Sequence, residues 1–261
     1  MGLLKHFKLF AISAKLEAMD RTEDPIAFMF IAFGTVLRIA FTIIFFQAIY
    51  GQVQAIGGWE LDHVYVLLGT WFFIDGISWA TYTRGFLRLY RLIERGELDL
   101  FLIKPVNLKV FLSYRYIDAI FSTPSIVAAI AIIIYGMQLT TDPINIFTYL
   151  LFLLFAFSIH HSFSLMLGTI NFYYIIESPE YLRNSIMRLG QYPITIYTGI
   201  AKFALSFIVP LAFIFTVPVR AFFGEVTLVE SGLMVMVVLV FYLISSFFWK
   251  RGINHYESAK G

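Results

Sequence analysis

The chain has 261 residues, of which 59% are hydrophobic and 14% charged, with a mean hydropathy of +0.80. Soluble domains carry about 25% charged residues, so an ordinary globule, a disordered chain and a basic-patch nucleic-acid binder are all excluded. Formal net charge is +2 and there is no Cys, which removes disulfides, thiolate metal sites and cysteine nucleophiles. These are the proportions of an integral membrane protein, and the 18% aromatic content suits rings that face lipid and headgroups.

Residues 1–26 read as an N-terminal interfacial segment rather than a span. Leu3, Leu4, Phe7, Phe10, Ala11 and Ala14 recur at helical spacing among Lys5, Lys8 and Lys15, which suits an amphipathic helix lying along anionic headgroups. A hydrocarbon core about 30 Å thick needs about 20 mostly apolar helical residues. Six runs meet that need, within residues 27–250. The first is Ala27 to Tyr50, broken by Arg38; the second is Leu61 to Thr83 and carries Asp75. The third, Leu108 to Tyr135, is polar in its first turns at Arg115 and Asp118. Ile146 to Ile170 and Ile194 to Val217 follow, and the last runs from Leu228 to Trp249, before a tail at 251–261.

Local signals mark the boundaries. Asp24-Pro25 and Asp142-Pro143 each place an N-cap acceptor before a proline at the first helical position. Thr227 and Glu230 have capping-box spacing. Ser178-Pro179 opens a helix of about ten residues, Pro193 begins the fifth span, and Pro210 kinks it. The cations fall almost wholly on one side: the N-terminus, the second-to-third connection, the fourth-to-fifth connection with Arg183 and Arg188, and the tail. Only Arg220 lies on the other. The positive-inside rule then puts both termini in the cytoplasm.

The connection from Arg84 to Lys109 is the most informative stretch. Arg84, Arg88, Arg91 and Arg95 are spaced 4, 3 and 4 along one helical stripe, with Leu89, Leu92 and Ile93 on another face. Gly96 ends that helix with positive φ, Glu97-Leu98-Asp99-Leu100 mixes acids with apolar residues, and Lys104-Pro105 closes the segment. A loop needed only to reverse direction is much shorter, so this one is shaped to press on a cytoplasmic partner.

Here the sequence resembles a family. Ile93-Glu94-Arg95-Gly96-Glu97-Leu98-Asp99-Leu100-Phe101-Leu102-Ile103-Lys104-Pro105-Val106 is similar to the cytoplasmic segment of ABC type-2 permeases, the bacterial subgroup with a Gly-Glu-Leu-Asp then Lys/Arg-Pro signature. Ile208-Val209-Pro210-Leu211-Ala212-Phe213, then Val217-Pro218 and Gly224, resembles that subgroup's penultimate helix and outer re-entrant turn. The resemblance implies that 27–250 is a six-span permease domain in a bacterial inner or plasma membrane. It implies dimerisation with a second copy or a sister permease, and docking of two separate ATP-binding cassette subunits. Residues 84–109 become a coupling segment, and Arg91, Glu94, Arg95, Gly96, Glu97, Asp99, Lys104 and Pro105 its ATPase contact. The membrane subunit is then no enzyme and holds no cofactor; ATP and Mg belong to the partner, and nucleic acid has no part.

The rest of the sequence agrees with that division of labour. No Gly-x-x-x-x-Gly-Lys-Ser/Thr loop occurs, so the chain lacks a standard P-loop. His160 and His161 point about 100° apart on a helix and cannot share a metal as an i, i+4 pair does; a hydrogen bond to a neighbouring helix is their expected role. Arg38 and Asp75 are the expensive charges, since a charge at mid-bilayer costs about 2.5–3.5 kcal/mol. Their depths from the cytoplasmic side, roughly 16 and 12 Å at 1.5 Å per residue, predict an Arg38–Asp75 pair that either ties the first two helices together or lies in a substrate path. A proton- or ion-coupled carrier using that pair, and a non-transporting scaffold, are the other functions the sequence allows.

Overall fold

The computed structural model of the chain describes residues 25–104, 107–116, 119–138, 142–174 and 178–256, together with Ala11, Ile12, Lys15 and Met19. The expected interfacial helix over 1–26 therefore lies almost wholly outside the described residues; the four described in its core are helical and exposed.

The long helices are α1 (Pro25–Tyr50), α2 (Leu61–Ala80), α7 (Ala119–Gly136), α8 (Pro143–Thr169) and α12 (Leu228–His255). Between α2 and α7 come four short helices, α3 (Thr83–Leu87), α4 (Leu89–Glu94), α5 (Asp99–Leu102) and α6 (Leu108–Arg115). After α8 come α9 (Ser178–Arg188), α10 (Gly199–Phe203) and α11 (Val217–Phe222). No strand occurs among the described residues. Three helices, α1, α12 and α8 with its 3₁₀ extension to Phe172, are long and apolar enough to cross a membrane. A fourth span is formed if the segments Gly199–Ile208 and Ala212–Phe222, which meet at 69°, are counted as one. The other expected spans are shorter or more polar: α2 has 20 residues and two aspartates, and α7 has 18 residues.

Where the signal was local, the structure follows it. The Asp142 carboxylate accepts from the Ile144 N–H at 2.8 Å, with Pro143 opening α8. Thr227 and Glu230 cap each other's backbone in a complete capping box. Losing such a cap costs about 1 kcal/mol, so Thr227→Ala is expected to lower the thermal unfolding midpoint while Thr227→Ser leaves it near wild type. Pro210 sits at the bend between two π-helical stretches, Ala204–Ile208 and Ala212–Thr216. A proline there removes a backbone donor and forces the ladder to re-register.

Two expected spans have different limits. The fifth begins at Gly199, not Pro193, because 194–196 is a 3₁₀ turn and Tyr197 and Thr198 are extended. Gly199 makes the entry at φ +56°. The third is divided: α6 stops at Arg115 and Tyr116 leaves helical geometry at φ −118°, ψ 61°, so Leu108–Arg115 forms a helix separate from α7, while Asp118 lies outside the described residues.

Packing sorts the helices into a centre and a rim. α2 is buried along most of its length and packs most extensively on α7. Gly69 and Gly76 let the two backbones close, since a Cβ on either would lie about 3 Å from Ile132, Ile133 or Ile126. α8 lies against α11 and α12. α1, by contrast, buries only Ile39 and Phe46 and turns Met29, Phe30, Phe33 and Phe41 outward.

Candidate functional site

Two clusters of polar and charged residues are built by this packing. The first lies at the C-terminal end of α2. Asp75, Ser78 and Tyr82, spaced 3 and 4, share one stripe of that helix and its exit turn. Facing them is Arg183 of α9, which is completely buried, at 0% exposure. Its Nη2 lies 3.3 Å from Asp75 Oδ1, 3.0 Å from Ser78 Oγ and 3.1 Å from His160 Nε2, its two N–H groups shared among the three acceptors. Its Nη1 donates to Asn184 Oδ1 at 2.9 Å, and its guanidinium lies 5.2 Å from the Trp79 ring.

An arginine only donates, so His160 Nε2 accepts. Its Nδ1 is therefore the protonated nitrogen, and it donates to Tyr82 Oη at 2.6 Å. The cluster thus ties α2, α8 and α9 through one cation. His160 fulfils the expected bonding to neighbouring helices; His161 points elsewhere, its ring 4.7 Å from Tyr82 and its Nε2 3.5 Å from Ser113 Oγ. No group of His, Asp and Glu suited to a metal occurs among the described residues.

The expected Arg38–Asp75 pair is not made. The cation on Asp75 is Arg183, while Arg38 donates to Ser125 Oγ at 3.3 Å and lies over the Trp71 and Phe72 rings. In the sequence Arg183 counts only as one cation of the fourth-to-fifth connection. Its buried place was signalled by Met187 and Gly190, four and seven residues on, which put it on the inward stripe of α9. Arg38 and Asp75 nonetheless line one cavity of about 290 Å³, with Thr35, Trp71, Trp79 and Asn184 among its other walls.

The second cluster is the segment from Thr83 to Lys104. The one helix expected over Arg84–Arg95 is two, α3 and α4, because Arg88 at φ −83°, ψ 2° interrupts it, and α5 follows beyond Gly96. The segment's inner side is a separate apolar core of Phe86, Leu89, Leu92, Leu98 and Phe101 against Leu112, Leu165 and Trp249. α3 is buried throughout and reaches its neighbours backbone to backbone: a Cβ on Gly85 would fall 1.7 Å from the Leu112 carbonyl oxygen, and one on Gly168 2.9 Å from that of Phe86. α4 ends at Gly96, φ +64°, with the Glu97 N–H on Leu92 O at 2.9 Å and the Gly96 N–H on Ile93 O at 3.0 Å. That double closure is a Schellman ending, and its positive φ is the one expected of this glycine.

The outer side carries the expected contact residues. Arg91, Glu94, Arg95 and Lys104 are exposed, and Gly96, Glu97 and Asp99 are half-buried. Arg91 lies on Tyr90, Arg95 and Glu97 are 4.0 Å apart, and Lys104 lies over Phe101. Pro105 lies outside the described residues. Among the charges stand Leu100, Leu102 and Ile103, the last 81% exposed. They form an apolar strip among charges on a firmly packed base.

No curated protein and no solved structure matches the chain. Residues 36–260 do match the family described as ABC-2 family transporter protein, a range that takes in both clusters and every helix after the opening turns of α1; the chain belongs to that family of multi-pass membrane transporters.

Proposed function

We propose that the chain is the membrane-spanning permease subunit of an ABC exporter, driven by ATP hydrolysis in a separate ATP-binding subunit. The family match over 36–260 carries the transporter part of this reading. The finer parts are six spans with both termini cytoplasmic, pairing with a second permease, and docking of two ATP-binding subunits on the 84–109 segment. They are supported by the one-sided distribution of cations and by the outer face of α4 and α5, where Leu100, Leu102 and Ile103 stand among Arg91, Glu94, Arg95 and Lys104. Glu97 and Asp99 there set register with basic groups of the partner more than they add affinity. The lack of a P-loop agrees with ATP being held elsewhere. The alternative of a carrier using Arg38 and Asp75 has less support, since Asp75 pairs with Arg183 and not with Arg38.

The test is purification from native membranes in mild detergent, with the co-eluting proteins identified and ATPase activity assayed. An ATP-binding subunit is expected to co-purify, and Glu97→Lys with Asp99→Lys to release it while the permease stays folded. Elution of the chain without any ATPase, together with transport that persists in its absence, overturns the reading.

A further inference from the structure

Arg38 poses a problem that the fold does not solve internally. It lies near the middle of α1, 13 residues beyond Pro25, or about 20 Å along the helix. It is exposed, and no carboxylate of the described residues lies within ion-pair distance of it. A cation at that depth costs about 2.5–3.5 kcal/mol unless it meets water or an anion. A second copy packed on the outward faces does not supply the anion: α1 contains no acid, and the outward stretch 199–208 contains only Lys202 as a charge.

The cavity beside Arg38 has the makings of the missing partner's site. Of about 290 Å³, it is walled by Trp71 and Trp79, and Arg188 of α9 joins Arg38 in its lining, also without an ion pair. Asn184 gives its carbonyl oxygen to Arg183, which leaves its two amide N–H donors for the cavity that it lines. Ser122 and Ser125 add hydroxyls. The one carboxylate in the lining, Asp75, already has Arg183 on its Oδ1. The space is therefore rich in donors and positive in net charge, with aromatic walls and with Thr35 and Arg38 of α1 on its edge.

We propose that this cavity binds the anionic headgroup of an amphiphile, a carboxylate or phosphate on an apolar tail. Arg38 and Asn184 donate to the headgroup, and the tail leaves along the exposed apolar face of α1. As a statement of substrate class the proposal rests on the permease reading, but binding itself needs neither nucleotide nor a partner subunit.

The experiment uses the full purified chain in nanodiscs of neutral lipid and reads quenching of tryptophan fluorescence. The probes are 9,10-dibromostearate, the uncharged dibromostearyl alcohol and the cationic dibromostearyl amine. Expected is saturable quenching by the carboxylate at about a tenth of the alcohol concentration, a preference lost in Arg38→Gln and kept in Arg38→Lys. Equal quenching by all three probes overturns the proposal, as does a preference for the amine, which assigns the cavity to cations through Asp75. An unchanged carboxylate preference in a folded Arg38→Gln also overturns it. Failure of the ATP-binding subunit to co-purify leaves these outcomes as they are, so the two readings fail separately.

Discussion

Arg183→Met is expected to destabilise the fold by about 3–5 kcal/mol, the cost of removing one partner from a buried ion pair, and to lower the thermal unfolding midpoint in detergent accordingly. Arg183 is fully buried and meets Asp75, Ser78, His160 and Asn184 at once. Its loss leaves a carboxylate without its cation and three side chains without a donor, while the methionine fills most of the volume. The double variant Arg183→Met with Asp75→Leu is expected to lose less than the sum of the two singles, because no orphaned charge remains. Arg38→Gln serves as the contrast: its side chain is exposed and hydrogen-bonded only to Ser125, so its midpoint stays near wild type. A folded Arg183→Met with the wild-type midpoint shows that the cluster fastens nothing.

Gly85→Ala is the second large effect. The added methyl would fall 1.7 Å from the Leu112 carbonyl oxygen, a main-chain atom of α6 that has no rotamer to change. Overpacking costs about 1–3 kcal/mol where side chains are able to shift; here two helices must separate, so the cost is expected at the top of that range or beyond it. Limited proteolysis should show it as rapid cleavage within 84–109, while the rest of the bundle survives longer. Gly232→Ala is the control, since its position in α12 has nothing within 4 Å and the substitution gains about 1 kcal/mol of helix propensity. Equal protease resistance of the two variants rules out the close backbone contact.

The contrast between these sites explains how far the fold was legible. Asp142, the Thr227–Glu230 box, Gly96 and Pro210 act within a few residues of themselves, and their signals read directly from the sequence. Arg183 acts across 108 residues, on Asp75. Counting it among the cations of the fourth-to-fifth connection says nothing of its place, because the positive-inside rule sorts loops and does not say which cation turns inward. Asp75 was recognised as needing a cation, and depth alone nominated Arg38; depth fixes height in the bilayer but not azimuth around the helix axis. The segment at 84–95 was legible as amphipathic, and its apolar side does form a core with Leu112, Leu165 and Trp249. That it breaks at Arg88 was not, since a helix folded back over glycines serves packing partners that periodicity does not name.

The glycine contacts of α3 have a mechanical meaning. Most helix interfaces carry an interleaved layer of side chains whose torsions absorb small movements, much as padding does. At Gly85 against Leu112, and at Gly168 against Phe86, that padding is missing and main chain bears on main chain. Such a joint is stiff in compression. Neither α6 nor α8 can be pressed toward α3 there without moving its main chain as well.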